Sequence, residues 1–233
     1  MQILRVNGNF NSAGILSVPP KPQDKIVIKF DDIPTPPASK LSIPVLVPPP
    51  ISVPPPLPRV RSQLITPVLF DYPKPPAGKL PPRQRRLYSD VKAVAERLVN
   101  SPYIEIKKVE GDPPDYYLLE YHIRGLEAVR GNEITYRNHH TVEIRLTADY
   151  PRQQPMCKLL TPIFHPNFEP SHICIGDHWT AQERLIDLII RIGEMIAYQS
   201  YNVKSPLDGE AAMWADQHGN ILPTDASDLM PPE

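Results

Sequence analysis

Of the chain's 32 prolines, 20 fall in the first 85 residues, and this lopsided distribution restricts the fold more than any other feature of the sequence. Each proline fixes φ and removes a backbone donor, so residues 1–82 do not form a regular hydrogen-bonded domain. Residues 34–82, with the VPPP motif twice, favour extended polyproline II, either as a semi-rigid spacer or as a segment docked on a partner or on the chain's own core. Two strand-like pieces precede it, Gln2 to Val6 and Lys25 to Phe30. Asn7-Gly8 is a hairpin signal toward Ile15 to Val18. The folded part must therefore lie after the proline-rich segment, in a stretch long enough to bury a core.

Charge divides at the same boundary. Residues 1–85 hold 11 Lys+Arg and 4 Asp, net +7; the remainder holds 14 Lys+Arg and 22 Asp+Glu, net −8. An acidic core, with a basic leader that lacks interleaved aromatics, argues against nucleic-acid binding. The apolar stretch Leu41 to Pro58 has eight prolines in eighteen residues and is not expected to cross a membrane. Two cysteines, Cys157 and Cys174, make no disulfide framework, and residues 1–8 (MQILRVNG) resemble no secretory signal; a cytoplasmic, reducing location is expected.

From Arg83 the pattern becomes that of a packed domain. Leu87, Val91, Val94 and Leu98 recur at helical spacing, and the run stops at Asn100-Ser101-Pro102. Strands are expected over Ile104 to Val109, Tyr116 to Ile123, His140 to Thr147 and Met156 to Leu160, with turns at Gly111-Asp112-Pro113-Pro114 and Gly131-Asn132. A second helix is expected to start at Thr180, where Thr-x-x-Glu is a capping-box pattern, and to bury Leu185, Leu188, Ile189, Ile192 and Ile196. A short third helix, Asp208 to Gln217, precedes a polar tail over 220–233. The order of helix, four strands as an antiparallel meander and then helices reads as α+β, with a core over 83–219 behind a leader over 1–82.

Between the last strand and the second helix lies an irregular stretch carrying His165, Pro166, Asn167, His172, Cys174, Asp177, His178 and Trp179, the kind of loop in which sites are built. Tyr150-Pro151-x-x-x-Pro155, Ile163-Phe164-His165-Pro166-Asn167, Cys174 seven residues after the asparagine, and Trp179 at a helix entry occur in the order found in ubiquitin-conjugating enzymes (E2). The resemblance spans about residues 86 to 217. It implies the ubiquitin-conjugating (UBC) fold and two successive acyl transfers. The Cys174 thiol would take the C-terminal carboxyl group of a ubiquitin-like protein from an E1-like activating enzyme, and an amine, usually a target lysine, would then attack the thioester. ATP would be consumed by the E1, and no cofactor or metal is implied. An ordinary thiol with a pKa near 8.5 is about 3% thiolate at neutral pH, enough for thioester exchange; an ordinary lysine is almost wholly protonated and depends on positioning and desolvation.

The resemblance assigns Asn167 either donation to the developing oxyanion or support of the loop. It gives His165, Pro166, Tyr150 and Trp179 structural roles. Asp177 and His178 either orient or deprotonate the amine or are solvated loop residues, and Gly176 stands where many relatives carry an acid. The acidic gate aligns with Ser205, with Asn202 the nearest matching polar group. The E1 is expected on the first helix and its basic lead-in, at Arg83, Arg85, Arg86 and Lys92. Arg152 and Thr180-Ala181-Gln182 replace the usual E3-facing residues, which leaves the E3 open. These departures, the leader and the short stretch after Pro206-Leu207 resemble divergent E2-like proteins of bacterial conjugation operons, some of which serve antiphage defence.

Two rival readings remain. A non-catalytic E2 variant that only binds ubiquitin-like proteins would not need Cys174. A zinc site from His165, His172, Cys174 and His178 lacks paired ligand spacing.

Overall fold

The computed structural model describes residues 25–29, 72–131, 133–176, 179–223 and 228–230. The expected pieces at Gln2 to Val6 and Ile15 to Val18, nearly all of the proline-rich run, and Asp177 and His178 lie outside the described residues.

Helix α1, Pro82–Leu98, opens with proline at its first position, where no intrahelical donor is missed, and buries Leu87, Val91, Val94 and Leu98 at 5% exposure or less. Strands β2 (Ile104–Gly111), β3 (Pro114–Tyr121), β6 (His140–Arg145) and β7 (Met156–Leu159) form an antiparallel sheet in the order β2-β3-β6-β7, the meander expected from the sequence. Alternation turns Tyr117, Leu119 and Tyr121 of β3 and Val142 and Ile144 of β6 into the core, while Arg145 stays in solvent.

Helix α2, Leu185–Ile196, buries nine of its twelve residues, because the sheet covers one side and α1 and Leu229 approach the others. Tyr121 donates from its hydroxyl to the Ile189 carbonyl at 2.9 Å, which satisfies a buried polar atom and pins α2 to the sheet. A Cβ on Gly193 would lie 2.9 Å from Leu229 Cδ1 and 3.1 Å from Ile123 Cδ1, so a larger residue would push these side chains aside.

Four features depart from the sequence expectation. Strands β4 (Gly125–Arg130) and β5 (Glu133–Arg137) form a hairpin inserted between β3 and β6, and β1 (Lys25–Lys29) pairs antiparallel with β5, giving a second sheet in the order β1-β5-β4. The hairpin builds its own apolar cluster: Leu126, Ile134 and Tyr136 pack with Tyr198, Ala215 and Leu222. A Cβ on Gly125 would meet His140 Nε2 at 2.6 Å, so the hairpin's close approach to the main sheet requires a glycine there.

The second helix starts at Leu185 rather than Thr180, and the Thr-x-x-Glu capping box does not form. Arg86 of α1 donates to the carbonyls of Ala181 and Glu183, Glu183 pairs with Arg191 at 2.7 Å, and Asp90 of α1 accepts from the Leu185 N–H at 3.4 Å. A neighbouring helix thus takes the capping role. Finally, within the stretch expected as a polar tail, Leu222 and Leu229 are buried at 9% and 3% exposure, since each completes one of the two apolar clusters.

Candidate active site

The loop after β7 is held from three sides. Phe164 N–H donates to the Leu126 carbonyl of β4 at 2.7 Å, and Tyr198 donates from its hydroxyl to the Phe164 carbonyl at 2.6 Å. His165 is fully buried between Phe168 and Tyr198, with ring centroids 4.7 and 4.4 Å away, and its Nδ1 accepts the Asn167 N–H at 3.0 Å. Burial pushes the imidazole pKa down to about 3, so His165 is a neutral structural group. It has neither the exposure nor the free Nδ1 lone pair for the zinc reading. The Pro166 carbonyl accepts from Leu207 N–H at 2.7 Å and Asp208 N–H at 3.0 Å, and Asp208 caps α3 (Gly209–Gln217) through the Ala211 N–H. One carbonyl thereby joins the loop to the start of α3.

Asn167 makes the central link. Its side chain is 3% exposed; Nδ2 donates to the Asn202 carbonyl at 2.9 Å while Oδ1 accepts the Asn202 N–H at 2.7 Å. The amide therefore pairs with the Asn202 backbone as a neighbouring strand would, and one of its two N–H groups is committed to that clasp. The clasp ties the loop to the backbone of residue 202. A tiny hairpin follows: β8 (Phe168–Glu169) pairs with β9 (His172–Ile173), and the Cys174 N–H donates to the Asn167 carbonyl at 2.9 Å. Residues seven apart in sequence become cross-strand neighbours, which brings Cys174, Asn167 and Asn202 together.

The two thiols are in opposite environments. Cys157 on β7 is 2% exposed, and burial pushes its pKa up to about 12, which makes it inert. Cys174 is half-buried, at the rim of the hairpin beside Gly176, whose φ of 101° is open to glycine without strain.

The other residues singled out in the sequence are placed as follows. Asn202 and Ser205 are exposed on the gate loop, with Asn202 Oδ1 accepting from the Lys204 N–H at 2.8 Å. Trp179 donates from Nε1 to the Pro151 carbonyl at 2.8 Å and packs on Tyr150, six residues ahead of α2 rather than at its entry. Tyr150 donates to Asp90 Oδ2 at 2.6 Å and accepts from Arg86.

Of the four cations expected to face an E1, Arg85 and Lys92 are exposed. Arg83 is half-buried, binding the Leu146 and Thr147 carbonyls. Arg86 points inward. Burial opposes its charge, but Asp90 at 2.7 Å and Tyr150 outweigh that and leave its pKa raised. The sequence reading of Arg86 as a surface contact is corrected here, because the same i,i+4 spacing to Asp90 that forms the pair turns it into the α1–α2 junction. A cleft of about 380 Å³ opens at this end of α1, lined by Pro82, Arg83, Ala148, Pro151 and Arg152 among others, and by no residue of the Cys174 loop.

Comparison with known proteins fits this geometry. The sequence model of the family described as ubiquitin-conjugating enzyme matches residues 96–221. The chain belongs to that family. Among solved structures, it is similar to a Trypanosoma cruzi protein assigned as a ubiquitin-conjugating enzyme, at 17% identity over 60% of this chain and 93% of that one, with a TM-score of 0.44. The E2 domain of a Toxoplasma gondii ubiquitin-conjugating enzyme gives 18% identity over 60% and 90% of the two chains, with a TM-score of 0.42. A Plasmodium yoelii protein of the same assignment gives 18% identity over 62% and 90%, with a TM-score of 0.45. By the family match, the core is an E2-type domain with the UBC fold. Among the described residues no helix is long and apolar enough to cross a membrane.

Proposed function

We propose that this E2-type domain accepts a ubiquitin-like protein as a thioester on Cys174 and passes it to an amine, most often a target lysine. The observation that carries the reading is the contrast between the two thiols: Cys157 is sealed in the core, while Cys174 is accessible on a hairpin clasped to the gate loop. In the first step the Cys174 sulfur attacks the carbonyl carbon of the E1 thioester; its proton leaves, the E1 thiolate departs and a new C–S bond forms. In the second the amine attacks that carbon, the C–S bond breaks, and the amine's proton and the released thiolate return the Cys174 thiol.

Asn167 acts by position. Its clasp on Asn202 fixes the hairpin beside the gate loop, so the amine meets a carbonyl of fixed orientation. Asp177 and His178 follow Cys174 closely enough in sequence to orient the incoming amine, and they belong to the proposal on that ground. The E1 approaches α1 at its exposed cations, Arg85 and Lys92, beside the cleft at Pro82 and Arg152. The partners are then an E1-like enzyme, a ubiquitin-like protein and a target, in a cytoplasmic setting. Placement with bacterial conjugation and antiphage systems rests on the sequence resemblance and is checked by reconstitution with the E1-like and ubiquitin-like proteins of such a system.

The test is incubation with E1, ATP and ubiquitin-like protein, read on non-reducing gels. A thiol-sensitive adduct is expected on the wild type and on Cys157→Ala, none on Cys174→Ala, and a reductant-resistant ester on Cys174→Ser. Charging that is lost in folded Cys157→Ala, or that persists in Cys174→Ala, refutes the assignment. No adduct in the wild type with any E1 tried, alongside measurable binding of a ubiquitin-like protein, favours the non-catalytic module.

A further inference from the structure

The outer face of the main sheet carries a cluster that the conjugating chemistry does not use. Alternation puts Glu120 and His122 on the same side of the β3 line. The register Glu120↔Thr141, Tyr121↔His140, continued one step past the strand end, sets His122 opposite His139 in the β5–β6 turn. On the other flank β2 pairs Glu105 with Glu120. His122 Nδ1 and His139 Nδ1 consequently face each other at 3.0 Å, and His139 Nδ1 lies 3.4 Å from Glu120 Oε1. One ligand atom from each of Glu120, His122 and His139 falls within 4.8 Å of the others.

We propose that Glu120, His122 and His139 form a binding site for a divalent transition-metal ion of the zinc class, with Glu105 orienting His122 from behind. At 3.0 Å one Nδ1 donates and the other accepts, so both nitrogens are aimed at one point between the rings. Tetrahedral zinc with Zn–N bonds of about 2.0–2.1 Å holds its nitrogens about 3.3 Å apart, so the rings need to move by only a few tenths of an ångström. The ion takes both Nδ1 lone pairs once the proton between the rings is carried through solvent to His139 Nε2, so both imidazoles bind as neutral ligands. The third ligand is equally prepared, because the two oxygens of Glu120 have separate tasks. Oε2 pairs with Lys107 Nζ at 3.1 Å, which steadies the carboxylate, while Oε1 faces the imidazoles.

Behind the site, His122 Nε2 lies 3.5 Å from Glu105 Oε2, and Glu105 Oε1 is itself fixed by Lys107 at 3.1 Å. His122 Nε2 has no hydrogen-bond partner, so the Glu105 carboxylate acts on the ring through its charge, which favours the proton on Nε2 and leaves Nδ1 free for metal. The donor set, two imidazoles and a carboxylate, suits zinc, cobalt, nickel or copper over magnesium or calcium. The side chains of Glu120, His122 and His139 are 25%, 29% and 40% exposed, which leaves a coordination position open to solvent. Bound metal would staple the end of β3 to the β5–β6 turn and stabilise the fold by mass action.

The experiment titrates Co²⁺ alone into the full chain carrying Cys174→Ser, which removes the exposed thiol as a competing ligand. Saturable 1:1 binding with a visible absorption band of low-coordinate cobalt is expected. His122→Ala and His139→Ala should each weaken it at least tenfold. Glu120→Gln, isosteric, should do the same in protein that remains folded in chelator, with some loss of thermal stability from the broken Lys107 pair. Glu105→Gln, which removes a partly exposed charge and no hydrogen bond to the ring, should weaken it only a few fold. Absence of saturable binding, undiminished binding in His139→Ala and Glu120→Gln, or loss of binding in His172→Ala instead would overturn the proposal.

Discussion

The Asn167–Asn202 clasp gives the sharpest test of how the site works. Asn167→Ala removes two hydrogen bonds, of 2.9 and 2.7 Å, to the backbone of residue 202. At about 1 kcal/mol net for each, the loop loses roughly 2 kcal/mol of positional restraint. Since 1.4 kcal/mol corresponds to a factor of ten, amine discharge from the preformed thioester is expected to slow about 10- to 30-fold. E1-dependent charging, in which E1 helps to position the thiol, should stay within a few fold. Loss of a direct oxyanion donor would cost about 3–4 kcal/mol, a factor of 10² to 10³.

Two further variants separate the mechanisms. Asn202→Pro deletes the backbone N–H that Asn167 Oδ1 accepts while leaving the other clasp bond in place, and is expected to slow discharge about fivefold, the share of one bond. Asn202→Ala leaves that backbone intact, loses only the Lys204 N–H contact, and should discharge at nearly the wild-type rate. Single-turnover discharge to free lysine, with charging measured separately, reads all three. The clasp argument fails if Asn167→Ala costs more than a hundredfold while Asn202→Pro is unaffected. It fails equally if charging and discharge fall together in Asn167→Ala.

Asp90→Ala leaves Arg86 without its carboxylate and removes the acceptor of the Leu185 N–H and the Tyr150 hydroxyl, so chemical denaturation should show a loss of about 3–5 kcal/mol; a loss under 1 kcal/mol would remove Asp90 as the α1–α2 tie. His165, held near pKa 3 by burial, stays neutral in the fold while the unfolded chain takes up a proton below about pH 6.5. The stability it contributes is therefore complete above pH 6.5 and falls as pH drops toward 3, by up to about 1.4 kcal/mol per unit. In a folded His165→Gln variant this part of the slope should vanish, and an unchanged slope would refute the assignment. Reversing Arg85 and Lys92 to Glu should slow E1 charging more at low than at high ionic strength, and equal rates at low salt would remove α1 as the E1-facing element. A chain beginning at residue 72 keeps every described residue of both apolar clusters and should fold and charge, while loss of β1 bares the β5 edge and should promote self-association; an insoluble product would show that β1 is indispensable.

Local pattern and chain order carried much of this fold. Helical spacing from Leu87 to Leu98, alternation in β3 and β6, and the ordered Tyr-Pro, His-Pro-Asn, Cys and Trp positions are properties of neighbours in sequence, and they located α1, the meander and the Cys174 loop. What the sequence left undetermined depends on partners far along the chain. Thr180 and Glu183 have the spacing of a cap, but Arg86, some 95 residues earlier, holds the Ala181 and Glu183 carbonyls, Asp90 takes the Leu185 N–H, and the helix starts at Leu185. The β4–β5 hairpin has little alternation of its own, yet Gly131 marked its turn; only packing on Tyr198, Ala215 and Leu222 makes it a strand pair. Leu229 reads as tail until Gly193 leaves space for it. The two thiols are alike as residues, and burial at 2% against a half-open rim separates an inert one from a reachable one. Asn167 was open between two roles because its amide is defined by the backbone of residue 202, which chain folding alone delivers, and burial and partner geometry exist only once distant segments meet.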